Sequence, residues 1–115
     1  MKTKIKTTQY ELMNVSHLLR DQIINIGSME NLKADVFVFL CMAQVLHKKI
    51  VGKVNSALTR EISFSLKRHE LMVLHYFMKG VTNYETNNFF TQLDKSYPHQ
   101  MGNISDYYYG NVSSN

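Results

Sequence analysis

The chain has 115 residues, 44% of them hydrophobic, and a net charge of +4 at neutral pH. This length predicts one domain with a modest core, and the hydrophobic share excludes a disordered chain. The single cysteine, Cys41, excludes a disulfide framework and a cysteine metal site, and it favours a reducing cytoplasm. The apolar stretch from Val36 to Leu46 is too short for the ~20 residues that cross a bilayer, so no membrane partner is expected.

Basic residues concentrate in the first two thirds of the chain. Residues 1–80 contain 12 Lys and Arg against 6 Asp and Glu, whereas residues 81–115 contain Lys95 against three acidic residues. A positive balance permits a nucleic-acid partner without requiring one.

The first half of the chain predicts two helices. Residues 1–7 are typical of a flexible basic arm, and residues 8–26 form a predicted first helix that Gly27 ends. A long helix is predicted over 35–59, because apolar residues recur there at spacings of three and four. Its front half is apolar nearly all round, which is typical of a spine or a dimer interface. Residues 59–65 are compatible with a turn or one short strand.

Shorter helices are predicted in the second half. The first covers 66–79 and is closed by Gly80. Its apolar and aromatic residues are interpreted as core: Leu71, Met72, Leu74, Tyr76, Phe77 and Met78. Thr82 and Glu85 match a capping box at the start of the next helix. Pro98 is well placed in the first turn of a last helix that reaches Tyr109, and residues 111–115 form a polar tail. No internal repeat is evident.

The spacing of these elements resembles a known family. The stretches that carry the resemblance are Lys53-Val-Asn-Ser-Ala-Leu58, Ile62-Ser-Phe-Ser-Leu66 and Glu70-Leu-Met-Val-Leu-His-Tyr-Phe77, followed by a glycine and a capped helix. Over about residues 35–110 the pattern resembles MarR-type winged-helix regulators, including SarA-like regulators of similar length. The resemblance implies a mainly α, helix-turn-helix domain whose wing is missing or vestigial. It makes 35–59 the dimerising helix, 66–79 the supporting helix and 83–109 the helix-turn-helix.

The resemblance also implies a DNA-reading surface. It places next to a major groove the side chains of Ser96, Tyr97, His99, Gln100, Asn103 and Ser105. Gln and Asn can pair with adenine through two hydrogen bonds. Lys95, Lys67 and Arg68 complete the predicted DNA contacts. Because the predicted reader is net acidic, DNA binding is expected here from the family and not from the charge of the reader.

Other chemistries find little support in the sequence. His69-Glu70 begins like a metalloprotease helix, but the next histidine is His75, on another face, so we expect no metal and no cofactor. Cys41 is interpreted as a core cysteine. Neither a glycine-rich phosphate loop nor a Gly-x-Ser-x-Gly motif occurs, and we expect no enzyme. A basic group is compatible with a solvated face, a phosphate-contacting patch or a surface for an acidic partner: His47, Lys48, Lys49, Lys53, Lys67 and Arg68.

The sequence therefore predicts a cytoplasmic, homodimeric transcriptional regulator that binds a pseudo-palindromic operator in double-stranded DNA. The alternative is a helical interaction module that pairs with a full-length regulator or another protein partner and does not read DNA. A small basic immunity-type bundle at a membrane surface is a weaker third hypothesis, because no basic amphipathic helix with a lipid-facing side is evident.

Overall fold

The computed structural model describes residues 2–81 and 83–97. Its elements in chain order are β1 (Lys2–Thr8), α1 (Gln9–Gly27), α2 (Ala34–Ser56), β2 (Glu61–Lys67) and α3 (Arg68–Met78). A 3-10 turn at Tyr84–Thr86 then leads into a helix, α4, over residues 87–97. The expected mainly helical architecture is confirmed, and the winged helix of MarR type stays a hypothesis.

The N-terminal segment Lys2–Thr8 is a strand, so the prediction of a flexible basic arm is wrong. β1 pairs with β2 in an antiparallel ribbon of seven residue pairs, from Lys2 opposite Lys67 to Thr8 opposite Glu61. Its lysines are exposed and the residues between them are buried, with Ile5 fully so. This period of two is the side-chain alternation of a strand with one buried face. The partner strand supplies the apolar surface that a short lysine-rich strand lacks.

β2 occupies the segment for which a turn or a short strand was left open. Its inward residues are Ile62, Phe64 and Leu66, all almost fully buried. Leu66 and Lys67 were predicted to begin a helix, but Leu66 continues the inward series of the strand. α3 therefore starts at Arg68 and covers less than the predicted 66–79.

The first two helices lie close to their predicted positions. α1 differs from 8–26 by one residue at each end, and α2 ends at Ser56 because Ala57 has an extended backbone, with φ −68° and ψ 125°. α2 buries Leu40, Ala43, Leu46 and Ile50 against the rest of the molecule. Cys41 is exposed, so its interpretation as a core cysteine is wrong. A nearly all-apolar helix can bury only the side that meets neighbours. No helix of the described residues has the length and apolar content needed to cross a bilayer.

The core lies between the ribbon and the helices. Phe64 packs near Phe89 of α4, with ring centroids 6.4 Å apart. In α3 the expected core positions Leu71, Leu74, Phe77 and Met78 are buried, whereas Met72 is half-buried. Tyr76 is 49% exposed and stacks on Phe39 of α2 at 5.1 Å, which differs from the core interpretation.

The end of the described chain also differs from expectation. The capping box begins at Asn83, one residue later than predicted: the Asn83 side chain accepts from Thr86 N at 3.1 Å, and Thr86 Oγ1 accepts from Asn83 N at 3.3 Å. Ser96 and Tyr97, two of the predicted DNA contacts, continue α4. Thr82, the predicted recognition helix 98–109 and the tail 111–115 lie outside the described residues.

The fold contains an internal repeat, although none was expected from the sequence. A strand, a helix that follows it at once, and a second helix occur twice, as β1-α1-α2 and as β2-α3-α4. Residues of the first strand and helix have counterparts 59 positions later, so that Lys2 corresponds to Glu61 and Thr8 to Lys67. Both first helices carry the same tripeptide, Glu11-Leu-Met13 and Glu70-Leu-Met72. The repeat is otherwise divergent in sequence, and α3 is shorter than α1.

The strand pairing gives the repeat a local two-fold axis. Ile5 lies opposite Phe64, which is its own counterpart in the second unit, and the two outermost pairs are equally distant from this centre. The ribbon therefore joins two similar units of one chain in the way that a symmetric dimer joins two chains.

Candidate nucleic-acid interface

The solvent side of the β1–β2 ribbon is a basic surface, here called the ribbon face. Its members are Lys2, Lys4, Lys6, Thr8, Glu61, Ser63, Ser65 and Lys67. Side chains alternate between the two sides of a strand, so burial of the residues between them turns these eight outward. The ribbon face contains four lysines and one glutamate, which is a net charge of +3.

The dimensions of this surface match a nucleic-acid groove. Seven residues at ~3.3 Å each extend for roughly 20 Å, and two strands lie ~4.8 Å apart. The major groove of DNA is about 12 Å wide and accepts a two-stranded ribbon. Lysine side chains can donate to phosphate oxygens or to guanine O6 and N7, and serine hydroxyls can donate or accept.

The outer edge of β1 is held by α4. Lys6 N donates to Gln92 Oε1 at 3.0 Å, and Gln92 Nε2 donates back to Lys6 O at 2.7 Å. Asn88 Nδ2 also donates to Lys6 O, at 3.0 Å. The Gln92 amide thus takes the place of a neighbouring strand. The edge cannot recruit another chain at Lys6, and the lysines of β1 project from a fixed backbone.

The outer edge of β2 is held in a related way by α2. Lys49 Nζ donates to Ser65 O at 2.9 Å and to Glu70 Oε1 at 2.8 Å. Ser65 is the counterpart of Lys6 in the repeat, so the same position is clamped on both strands. In each case the clamp comes from the second helix of the other unit.

Glu11 and Glu70 lie at equivalent positions near the starts of α1 and α3. Each accepts hydrogen bonds from the strand that precedes its helix and from the second helix of the other unit. Glu11 is 7% exposed, and its carboxylate accepts from the Thr7 hydroxyl, from Asn88 Nδ2 at 2.8 Å and from Phe89 N at 3.1 Å. A carboxylate at the first turn of α4 also interacts favourably with the helix dipole.

Glu70, the counterpart of Glu11, accepts from Lys49 Nζ and from Lys67 N, each at 2.8 Å. Burial acts to raise the pKa of Glu70. The hydrogen bonds from Lys49 and Lys67, with the positive charges of Lys49 and His69, outweigh burial and lower that pKa below 4.5. Glu70 therefore stays ionised at neutral pH and holds Lys49 against the edge of β2.

The predicted DNA contacts fall in separate parts of the molecule. Lys67 belongs to the ribbon face, and Arg68 is half-buried at the start of α3, with no hydrogen-bond partner for its Nε among the described residues. Lys95 is exposed on α4, next to the half-buried Ser96. Tyr97 stacks flat on His75 of α3, with centroids 3.6 Å apart and planes 7° apart. Its ring is therefore packed against protein. The predicted residues His99, Gln100, Asn103 and Ser105 lie outside the described part.

Lys2, Lys4 and Lys6 were missed as functional residues. Their alternation with Thr and Ile was visible in the sequence, and the segment Glu61–Lys67 shows the same period of two. Each segment is followed by the same Glu-Leu-Met tripeptide. Comparing the two segments would have indicated a paired ribbon.

The remaining basic residues are dispersed. Lys49 is engaged by Glu70, and Lys48 and Lys53 are exposed on α2. His47 lines a groove between α1 and α2 together with Arg20. Within residues 2–81 and 83–97, no three His, Cys, Asp or Glu side chains are grouped to hold a metal ion.

Comparison with protein-family models, with curated proteins and with solved structures finds no match to this chain. The likeness to MarR-type regulators therefore stays a hypothesis. We therefore infer a function from the geometry and charge of the ribbon face.

Proposed function

We propose that this chain is a DNA-binding transcriptional regulator that inserts the ribbon face into the major groove of double-stranded DNA. The observation that carries the proposal is the placement of Lys2, Lys4, Lys6 and Lys67 on one face of a ribbon. Four lysines concentrated on a groove-sized surface favour a polyanion over a neutral ligand.

The rigid backing of the ribbon supports the same function. Gln92 and Lys49 fix the two strand edges, so the lysines meet DNA from a preformed backbone and little ordering is needed on binding. The lysines of the ribbon face can neutralise phosphates or donate to guanine, while the serines opposite Lys4 and Lys6 can contact base edges.

Salt dependence gives the proposal a quantitative form. If all four lysines neutralise phosphates, the logarithm of affinity falls with the logarithm of salt with a slope of about −3.6. Raising the salt from about 50 to 200 mM then weakens binding roughly 100-fold. The measurement is fluorescence anisotropy of labelled mixed DNA fragments over that range.

A pair of matched variants tests the location of the contact. Lys4→Gln with Lys6→Gln removes two charges from the ribbon face, and Lys48→Gln with Lys53→Gln removes two exposed charges from α2. We expect the first variant to bind at least tenfold more weakly, with its salt slope reduced by about 2. The second variant should change much less. Equal losses in both variants would show that the ribbon has no special role.

The ribbon is a different reader from the helix that the family resemblance implies. The double variant Gln100→Ala with Asn103→Ala tests that helix directly. A loss of base preference in this variant, with the lysine variant unaffected, would favour the helix as the reader.

A second candidate function is suggested by the exposed side of α2. Phe37, Val38 and Val45 are 57%, 56% and 69% exposed, and with Cys41 they form an apolar stripe at helical spacing. The stripe favours a helical interaction module that pairs through α2, either with a second copy, as in the expected homodimer, or with another protein. Sedimentation of the wild type and of Val45→Lys tests self-association. A monomeric wild type that binds no DNA would leave the protein-partner form of this candidate.

A further inference from the structure

The ribbon of one chain is complete without a second chain. We infer that a single chain occupies a whole ribbon footprint on DNA, in one orientation, so that its preferred site is not palindromic. The inference depends on the proposed DNA-binding function and specifies its ligand: a short duplex whose two halves differ.

The pairing of β1 with β2 makes the ribbon of one chain complete. Ile5 lies opposite Phe64 at the centre of the ribbon, and the two strands come from the two units of one chain. Two copies of a single unit would build such a ribbon only by dimerising. Here the outer edges are also occupied at Lys6 and at Ser65 by side chains of α4 and α2, so the pairing sites there are taken.

The two ends of the ribbon face carry different charges. Lys2 lies opposite Lys67 at one end, and Thr8 lies opposite Glu61 at the other. The first end therefore has a charge of +2 and the second a charge of −1. The flanking cations do not remove this difference, because each end gains one positive charge: Arg60 precedes Glu61, and Arg68 follows Lys67.

The middle of the ribbon face is asymmetric in another way. Lys4 lies opposite Ser65, and Lys6 lies opposite Ser63, so both central lysines belong to β1. The local two-fold axis relates backbone positions but exchanges lysine for serine. Each of the four pairs of outward positions that this axis relates therefore differs in charge, which distinguishes one direction of the ribbon from the other.

This difference between the two ends decides the direction in which the ribbon lies on DNA. A ribbon of roughly 20 Å spans about six base pairs of DNA. In one direction, Lys2 and Lys67 meet one half of these base pairs and can donate to guanine O6 and N7. Reversing the ribbon brings Glu61 to that half, where it meets the same guanine acceptors and the phosphates without a donor. The expected site is guanine-rich at the end contacted by Lys2 and Lys67.

A single substitution reduces the difference in charge between the two ends of the ribbon face, because replacing Glu61 by lysine changes the second end from −1 to +1, against +2 at the first end. Glu61→Lys places a lysine at the counterpart of Lys2, at an exposed position whose side chain makes none of the hydrogen bonds found among the described residues. Thr8 is left unchanged because its hydroxyl accepts from Glu11 N and caps α1. Glu30→Lys, in the exposed loop between α1 and α2, is a control with the same charge change.

The experiment is selection of binding sites from random duplexes, followed by sedimentation with the selected duplex of about 12 base pairs. Wild type and Glu30→Lys should select one non-palindromic motif with one chain bound per duplex. Inverting the guanine-rich half should reduce their affinity about tenfold or more. Glu61→Lys should lose less affinity on inversion, below about threefold, because the charge difference between the two ends falls from three to one. Circular dichroism verifies that each variant is folded.

Other results overturn the inference in distinguishable ways. A palindromic wild-type motif, or two chains per short duplex, refutes it and leaves DNA binding in place. A directional preference that Glu61→Lys retains in full refutes the role given to the charged ends. Absence of any salt-sensitive DNA binding by the wild type refutes both this inference and the proposed function.

Discussion

Replacing Glu11 by glutamine tests whether a buried carboxylate ties the two units together. Glu11 is 7% exposed, and its oxygens accept from Thr7, Asn88 and Phe89, on two different elements. Glutamine has nearly the same shape but only one acceptor oxygen. Its amide nitrogen must therefore face at least one donor, and the hydrogen bond there is lost.

The magnitude follows from the groups left without a partner. If the amide nitrogen faces Phe89 N, a charge-assisted hydrogen bond worth about 1.5–3 kcal/mol is lost and a donor in the first turn of α4 remains unsatisfied. Loss of the negative charge near the start of α4 adds about 0.3–1 kcal/mol. We therefore expect the free energy of unfolding to fall by roughly 2–4 kcal/mol.

The assay is urea unfolding at pH 7, followed by circular dichroism at a helical wavelength. The expected midpoint shift is roughly 1–2 M urea. Glu70→Gln is the matched control, because Glu70 is the counterpart of Glu11 and its main partner, Lys49, is 38% exposed. The control should lose about 1 kcal/mol or less from this ion pair. If Glu11→Gln stays within about 0.5 kcal/mol of the wild type, the cross-unit contact has no role in stability.

Three further outcomes can be measured on the same protein. In the same urea experiment, Phe64→Ala should reduce the free energy of unfolding by about 3–5 kcal/mol, because Phe64 is buried. Ser63→Ala, at the neighbouring exposed position, should reduce it by less than about 0.5 kcal/mol. Similar losses in the two variants would contradict the assignment of the buried face. Because the pKa of Glu70 is lowered on folding, its stabilisation is fully present above pH 4.5 and is lost as pH falls through the folded value. The difference in unfolding free energy between wild type and Glu70→Gln should therefore close in acid, and a difference independent of pH would be evidence against the ion pair. Cys41 should react with a disulfide reagent in the native state without denaturant, whereas protection at low protein concentration would contradict its exposure.

The spacing of apolar side chains along the sequence was enough to predict the helices of the first unit. In α1 and α2 the apolar residues repeat at spacings of three and four, which are contacts within one helix turn. The core positions of α3, such as Leu71 and Leu74, were found by the same reasoning. The exposed side of α2 was beyond it, because Cys41 and Leu40 look equally apolar until a neighbour covers only one of them.

The candidate interface depends on contacts between distant residues. Lys4 and Lys6 alternate with buried residues in a way that fits a strand, yet a strand of this length is stable only with a partner, and the partner begins at Glu61. The Gln92 and Lys49 clamps likewise join residues far apart in sequence. Sequence alone thus determined the helical class and the position of the long helix, because helices form from neighbours within four residues. Only the tertiary structure decided that the basic N-terminus is half of a ribbon, because strand pairing depends on residues about 60 positions apart.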